Sequence, residues 1–406
     1  MRRPRGPASV TAWMCAAHAL SMSAFSTYST LLPRLQEQWE LSNSQAGFVG
    51  GALFAGYMLA VPVLTSLTDR LDARRVYFAA SIVSIAGALG FAAFARGTLS
   101  AALFQFLSGA GVAGTYMPGL KVLTDSAGAQ HSRPVAFYTA TFGIGVALSI
   151  LCAGWAAGAF GWRSAFALAS LGPAAAGAMV LFGLRAALPI VRHRAVLAGI
   201  AQAWANRNTR PYIIGYAVHC WELFGSRAWM VAFLTFAQGV SSWAVSPVSI
   251  AALGNLIAPV SSILGNELAL RTARSRFILL VMGLSGALTC VLGFLDGLPG
   301  SLLCVLVLLH MALLNGDSSS LTAGVVAASE PELRGTTMAL HSTFGFGAGF
   351  AAPLVFGTAL DLAGAQSLPR AWGIAFVTVG IGGLLAAFML RLHGGGQPIH
   401  RAARGQ

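Results

Sequence analysis

Apolar blocks long enough to cross a membrane recur along this chain from end to end, and no other feature restricts its fold so severely. A hydrocarbon layer of ~30 Å demands ~20 consecutive, mainly apolar residues from a helix. Twelve segments meet that demand: 9–32, 45–67, 76–95, 99–124, 134–158, 164–184, 212–237, 246–270, 277–296, 300–327, 336–359 and 371–392. In lipid each must satisfy its own backbone polar groups. None shows the apolar-polar alternation of a barrel strand, so helices are expected throughout. Hydrophobic residues make up 56% of the chain and charged residues 9%, which makes it a membrane protein from end to end. The first span follows Arg2, Arg3 and Arg5, has no small-residue cleavage site after it, and is expected to be retained.

A net charge of +13 raises the question of a nucleic-acid partner, and the placement of the charge argues against one. With the N-terminus inside, nineteen arginines between Arg2 and Arg404 fall in inner segments, against four in outer loops: Arg34, Arg96, Arg163 and Arg370. The excess therefore records topology and contact with anionic lipid headgroups. Both termini are expected in the cytoplasm and the chain in the inner membrane. Cys15, Cys152, Cys220, Cys290 and Cys304 all lie in apolar spans at no metal-ligand spacing. They read as small buried hydrophobes, with neither a disulfide framework nor a metal site implied.

The longest interruption divides the spans six and six, giving an expected N-terminal bundle at 1–184, a cytoplasmic linker at 185–211 and a C-terminal bundle at 212–406. Within the linker Leu197, Ile200 and Trp204 recur at helical spacing among arginines, as in a helix lying on the membrane surface. The halves also echo each other. TFGIG at 141–145 returns as TFGFG at 343–347, DRLDARR at 69–75 aligns with RTARSR at 271–276, and WRSAF at 162–166 is matched by WGIAF at 372–376. Transporters built from parallel repeats have this layout.

Twelve spans in two halves, LTDRLDARR between spans two and three, and GWR at 161–163 opening span six together resemble the major facilitator superfamily over nearly the whole chain. The loop motif departs from the family pattern at Thr65, Asp72 and Ala73, while Asp69, Arg70, Arg74 and Arg75 match it. In the second half GNELALR at 265–271 keeps the glycine and the arginine, with its acid displaced to Glu267. The resemblance implies an all-α membrane protein of twelve transmembrane helices in two pseudo-symmetric six-helix bundles. It further implies that Asp69, Arg70, Arg74 and Arg75, with Glu267 and Arg271, latch helix ends together on the cytoplasmic side. Spans one, four, seven and ten would surround a central cavity, and three, six, nine and twelve would face outward.

Ionisable side chains deep in a membrane are costly and are expected to face a cavity. They fall at His18 in span one, Lys121 in span four, His219, Glu222 and Arg227 in span seven, His310 and Asp317 in span ten, and His341 in span eleven. Glu222 lies about 16 Å along its helix from Pro211, near the bilayer centre. The three- and four-residue spacing puts His219, Glu222 and Ser226 on one stripe. Glu222 is either a proton carrier or a carboxyl bonded to a neighbouring helix for packing. In HMALLNGDSSS at 310–320, His310, Leu314 and Asp317 share a face beside Asn315. Asp317 is the second candidate proton carrier, or the partner of His341 or Arg227. Lys121 precedes Asp125 by four residues, which suits an ion pair with snorkelling as well as substrate contact. Tyr28, Tyr116 and Trp221 are expected cavity walls.

No HExxH, GxSxG, paired CxxC or phosphate loop occurs, so the chain reads as a transporter and not an enzyme. The expected activity is secondary transport of a small organic solute, leaning towards an anionic metabolite. It would run by alternating access in a monomer, with the proton gradient as energy source and no cofactor. The alternative is proton-driven efflux of drugs or amphipathic compounds. Against it, GWAAG at 154–158 has tryptophan where drug and proton antiporters carry the proline of their span-five motif.

Overall fold

The computed structural model describes residues 6–68, 70–127, 132–186, 196–330, 333–364 and 367–393. Every regular element among them is helical. The first half comprises α1 (Pro7–Ser21), a 3₁₀ turn at Met22–Ala24, α2 (Thr27–Gln38), α3 (Asn43–Leu67), α4 (Ala73–Phe94), α5 (Thr98–Ala127), α6 (Ser132–Phe160), α7 (Trp162–Ala169) and α8 (Leu171–Gly183). After α9 (Val196–Ala205) come α10 (Arg210–Val240), α11 (Pro247–Arg271), α12 (Arg274–Leu292), α13 (Gly300–Gly316), α14 (Ser318–Ala328), α15 (Arg334–Leu362) and α16 (Pro369–His393).

Nine described helical segments are long and apolar enough to cross a membrane, and large apolar side chains such as Leu59, Val63, Phe160 and Leu280 stand exposed on their outer faces. That exterior requires lipid, since in water it would be a continuous aggregating surface. The three expected spans outside the nine are also helical, and each is diluted by polarity or broken. Span one divides at the 3₁₀ turn, α5 carries Gln105, Ser108 and Thr115, and α10 carries His219, Glu222, Ser226 and Arg227, all of them buried. Polar groups thus concentrate where the apolar criterion fails, which is the signature of helices facing a protein interior.

Hydropathy gave no sign of the break at Ser170 between α7 and α8, nor of two others. At the first of these two, the amide of Ser26 donates to the Ser149 hydroxyl on α6 at 3.0 Å, which satisfies a group the broken helix leaves open. At the second, span ten divides into α13 and α14 at Asp317.

Within the first half α3 and α4 pack on α5, and α1 on α6 and α8. Within the second α12 packs on α16, α15 on α10, and α13 on α11. The two sets meet along α3 with α15, α6 with α11, and α2 with α10. Glycine permits the closest approach: a Cβ on Gly47 would strike the carbonyl of Pro353, and one on Gly51 that of Phe350. In the linker, Trp204 of α9 stacks on Phe344 of α15 with ring centroids 5.1 Å apart.

Candidate functional site

Where α2, α3 and α5 face α10, a cavity of about 30 Å³ is lined by Phe25, Tyr28, Phe54, Gln105, Phe224 and Arg227, with Ser26 and Ser29 at its edge. That is room for one or two waters. Arg227 is only 7% exposed, and its Nε and Nη1 have no hydrogen-bond acceptor among the described residues. Its guanidinium carbon lies 5.8 Å from the Phe142 ring and 6.0 Å from that of Phe224. Rings supply part of the field a cation needs and none of its hydrogen bonds. Tyr28 forms a wall, its hydroxyl donating to the Ala46 carbonyl at 2.9 Å.

A second cluster lies within the C-terminal half. His219 Nδ1 stands 2.8 Å from Asp317 Oδ1, both side chains almost fully enclosed. The approach is off the hydrogen-bonding axis and leaves Oδ1 without a formal donor. Asp317 therefore meets His219, and neither His341 nor Arg227, the partners its sequence position suggested. Tyr216 stacks on His341 at 3.8 Å and on His219 at 5.8 Å, and His341 Nε2 lies 3.4 Å from the Thr322 hydroxyl. His310 is fully buried with neither ring nitrogen partnered among the described residues, and Asn315 donates to the Met311 carbonyl at 2.7 Å.

Glu222 takes a different direction from the shared stripe expected of it. Its Oε1 accepts hydrogen bonds from Ser285 at 2.6 Å and Thr289 at 2.7 Å, both on α12. A helical stripe spans a wide arc, and across it His219 turns to the α13–α14 break while Glu222 turns to the neighbouring α12. Trp221 donates its indole N–H to the Thr378 carbonyl on α16 at 3.0 Å and is not among the residues lining the Arg227 cavity. Lys121 pairs with Asp125 at 3.0 Å, both partly exposed, and does not line that cavity.

His18 is fully buried in the first half, stacked on Tyr138 at 4.3 Å with Tyr116 at 5.1 Å. Its Nδ1 lies 2.9 Å from both the Tyr138 carbonyl and the Thr141 hydroxyl, and Nε2 has no hydrogen-bond partner among the described residues.

In the loop before α4 the pairing acid is Asp72, a residue that departs from the family motif. It caps α4 by accepting from the Arg74 amide and holds the Arg74 guanidinium at 2.6 Å, while Arg74 also donates to the Leu184 carbonyl at 2.5 Å. Partial burial pushes the Asp72 carboxyl up, but the Arg74 hydrogen bonds and the charges of Arg74 and Arg75 outweigh it and hold the group below its ordinary value. Asp69 lies outside the described residues. Arg70, Arg75, Glu267 and Arg271 are exposed and form no ion pair among the described residues.

One cluster escaped the sequence reading. Asp361, at the end of α15, accepts from the Asn43 amide at 3.0 Å, the Asn43 side chain at 2.8 Å and the Ser44 amide at 2.8 Å, and from the Ser44 hydroxyl. An acid at a span end looks like any interfacial carboxylate, and nothing in its neighbourhood of sequence marked it.

A family profile described as Major Facilitator Superfamily matches residues 14–387. The 4-hydroxybenzoate transporter PcaK of Acinetobacter baylyi is 27% identical over 156 residues, 38% of this chain and 34% of its own. The benzoate transport protein of the same organism is 23% identical over 152 residues, 36% of this chain and 32% of its own. The chain thus spans about a third of the length of the curated relatives it matches. In fold it is similar to a bacterial homologue of the human lysosomal transporter Spinster, solved inward-facing and unoccupied, at a TM-score of 0.77 and 14% identity, covering 95% of this chain and 96% of that one. It is also similar to the nucleoside transporter NupG, at a TM-score of 0.72 and 17% identity, covering 96% of this chain and 100% of that one.

Proposed function

The chain belongs to the major facilitator superfamily of membrane transporters, and we propose on that footing that it carries a small aromatic carboxylate by alternating access, driven by protons. The observation that carries this reading is Arg227, a buried guanidinium with open donors between the two halves. Arginine near the middle of a membrane helix costs about 2.5–3.5 kcal/mol, so an unpaired one is retained for use. A carboxylate supplies the two-oxygen acceptor that fits a guanidinium fork. Once the halves part and widen this space beyond its present one or two waters, Phe25, Tyr28, Phe54 and Phe224 offer ring faces to an apolar, planar body. That two relatives are named as transporters of benzoate and 4-hydroxybenzoate agrees with this polarity.

Proton coupling is assigned to the His219–Asp317 pair, with Glu222 as a second carrier. A proton that moves onto the Asp317 carboxylate removes the charge that His219 Nδ1 faces and so loosens α10 from the α13–α14 break, which gives that change somewhere to act. The protein works as a monomer in the inner membrane with both termini in the cytoplasm, the side the arginine asymmetry favours, and its energy source is the proton gradient.

A thermal-shift series on the purified protein tests the substrate class. Benzoate and 4-hydroxybenzoate are expected to raise the melting temperature while benzamide, of the same shape and without charge, leaves it unmoved. Equal response to the amide, or none to either acid, refutes the reading.

A further inference from the structure

We infer that Asp361 is a gating residue of the transport cycle: its carboxylate caps the first turn of α3 across the boundary between the halves and holds that end of the molecule closed. A helix start leaves its first amides without partners. In α3 they are shared out completely. Ser42 and Gln45 cap each other in a reciprocal box, and the two amides left over, those of Asn43 and Ser44, point at Asp361 from the opposite half. The side chains of the same two residues add two more donors, so each carboxylate oxygen accepts twice.

Such bonds to a charged acceptor at the positive end of a helix are stronger than neutral ones. They sit at the head of a seam that needs no side chain to close it: Gly357 rests on the Asn43 carbonyl, Gly47 on that of Pro353 and Gly51 on that of Phe350. The seam continues to the stack of Tyr57 on Phe346 at 3.7 Å. By the arginine asymmetry this is the outer end. Of the residues expected to latch the inner end, Arg70, Arg75, Glu267 and Arg271 are exposed and form no ion pair among the described residues, while Arg74 is held within its own half by Asp72. α3 and α15 run antiparallel, so the last turn of α15 lies against the start of α3. Asp361 is then the outer counterpart of the inner latch that the resemblance assigns to Asp69. When the halves rock open outside, water must replace Asp361 at two amides, and the balance between the two states depends on this one carboxylate.

The test goes beyond the substrate assignment and requires no substrate. A cysteine placed at Ser29, on the edge of the Arg227 cavity, is labelled from outside with a membrane-impermeant maleimide in intact cells, and the rate is corrected for the parent protein's own five cysteines. Asp361→Ala is expected to raise that rate at least tenfold, and Asp361→Glu, which keeps the charge, to restore most of the protection. If Asp361→Ala does not fold, Asn43→Ala with Ser44→Ala removes two donors, leaves the acid in place and should move labelling in the same direction by a smaller factor. An unchanged rate in the folded variants, or equal opening by alanine and glutamate, overturns the assignment.

Discussion

Replacing Arg227 with methionine keeps most of the side chain's length and removes its charge. In the free protein the guanidinium has no acceptor at Nε or Nη1 among the described residues, and its aromatic neighbours are Phe142 and Phe224 at 5.8 and 6.0 Å. Cation–π contact of about 0.5–2 kcal/mol offsets only part of the 2.5–3.5 kcal/mol or so that arginine costs in mid-membrane. Arg227→Met is therefore expected to stabilise the free protein by about 0.5–3 kcal/mol. With a carboxylate bound the sign reverses. Removing one partner of a buried ion pair costs about 3–5 kcal/mol, and at 1.4 kcal/mol per tenfold the affinity should fall by roughly two to four orders of magnitude. Thermal denaturation and titration calorimetry with benzoate read the two effects separately. A methionine variant that melts below the parent would show that Arg227 already has a partner when the site is empty. One that melts higher and binds benzoate unchanged would remove Arg227 from the site.

Glu222→Gln keeps an oxygen for Ser285 and Thr289 but releases no proton, so accumulation driven by a pH gradient should fail while substrate exchange across the same vesicles survives. Undiminished accumulation would assign Glu222 to packing alone. Gly47→Val drives a side chain into the Pro353 carbonyl and is expected to cost at least tenfold in transport rate with the protein still monodisperse on size exclusion; full activity would contradict the close seam. Asp72, lowered in the fold, contributes stability that is present above its ordinary value of 3.8 and is lost as pH falls through the lower folded value. Asp72→Asn should accordingly melt below the parent at neutral pH, with the gap closing in strong acid, and a gap independent of pH would show that the Arg74 pair contributes nothing.

Membrane spans were legible because each must be apolar over a fixed length, and the polar residues that single out spans one, seven and ten were legible for the same reason turned round. What hydropathy could not supply was direction. His219, Glu222 and Trp221 lie within four residues, yet they reach Asp317, α12 and α16 respectively, because side chains this close in a helix fan out over much of its circumference. Asp317 looked like one member of a continuous face. It stands instead at a break between helices, which no run of apolar residues reveals. Asp361 depends on pairing between residues 317 and 318 positions apart, a distance over which one sequence carries no signal.

Proteoliposomes holding the purified protein, loaded at neutral pH and diluted into acid, address the central claim most directly. Labelled benzoate should accumulate above its external concentration in the wild type, collapse to the level of empty liposomes when a protonophore is added, and never accumulate in Arg227→Met. Uptake that ignores the protonophore, or that persists without the guanidinium, would contradict an anion carried between two rocking halves on a single buried arginine.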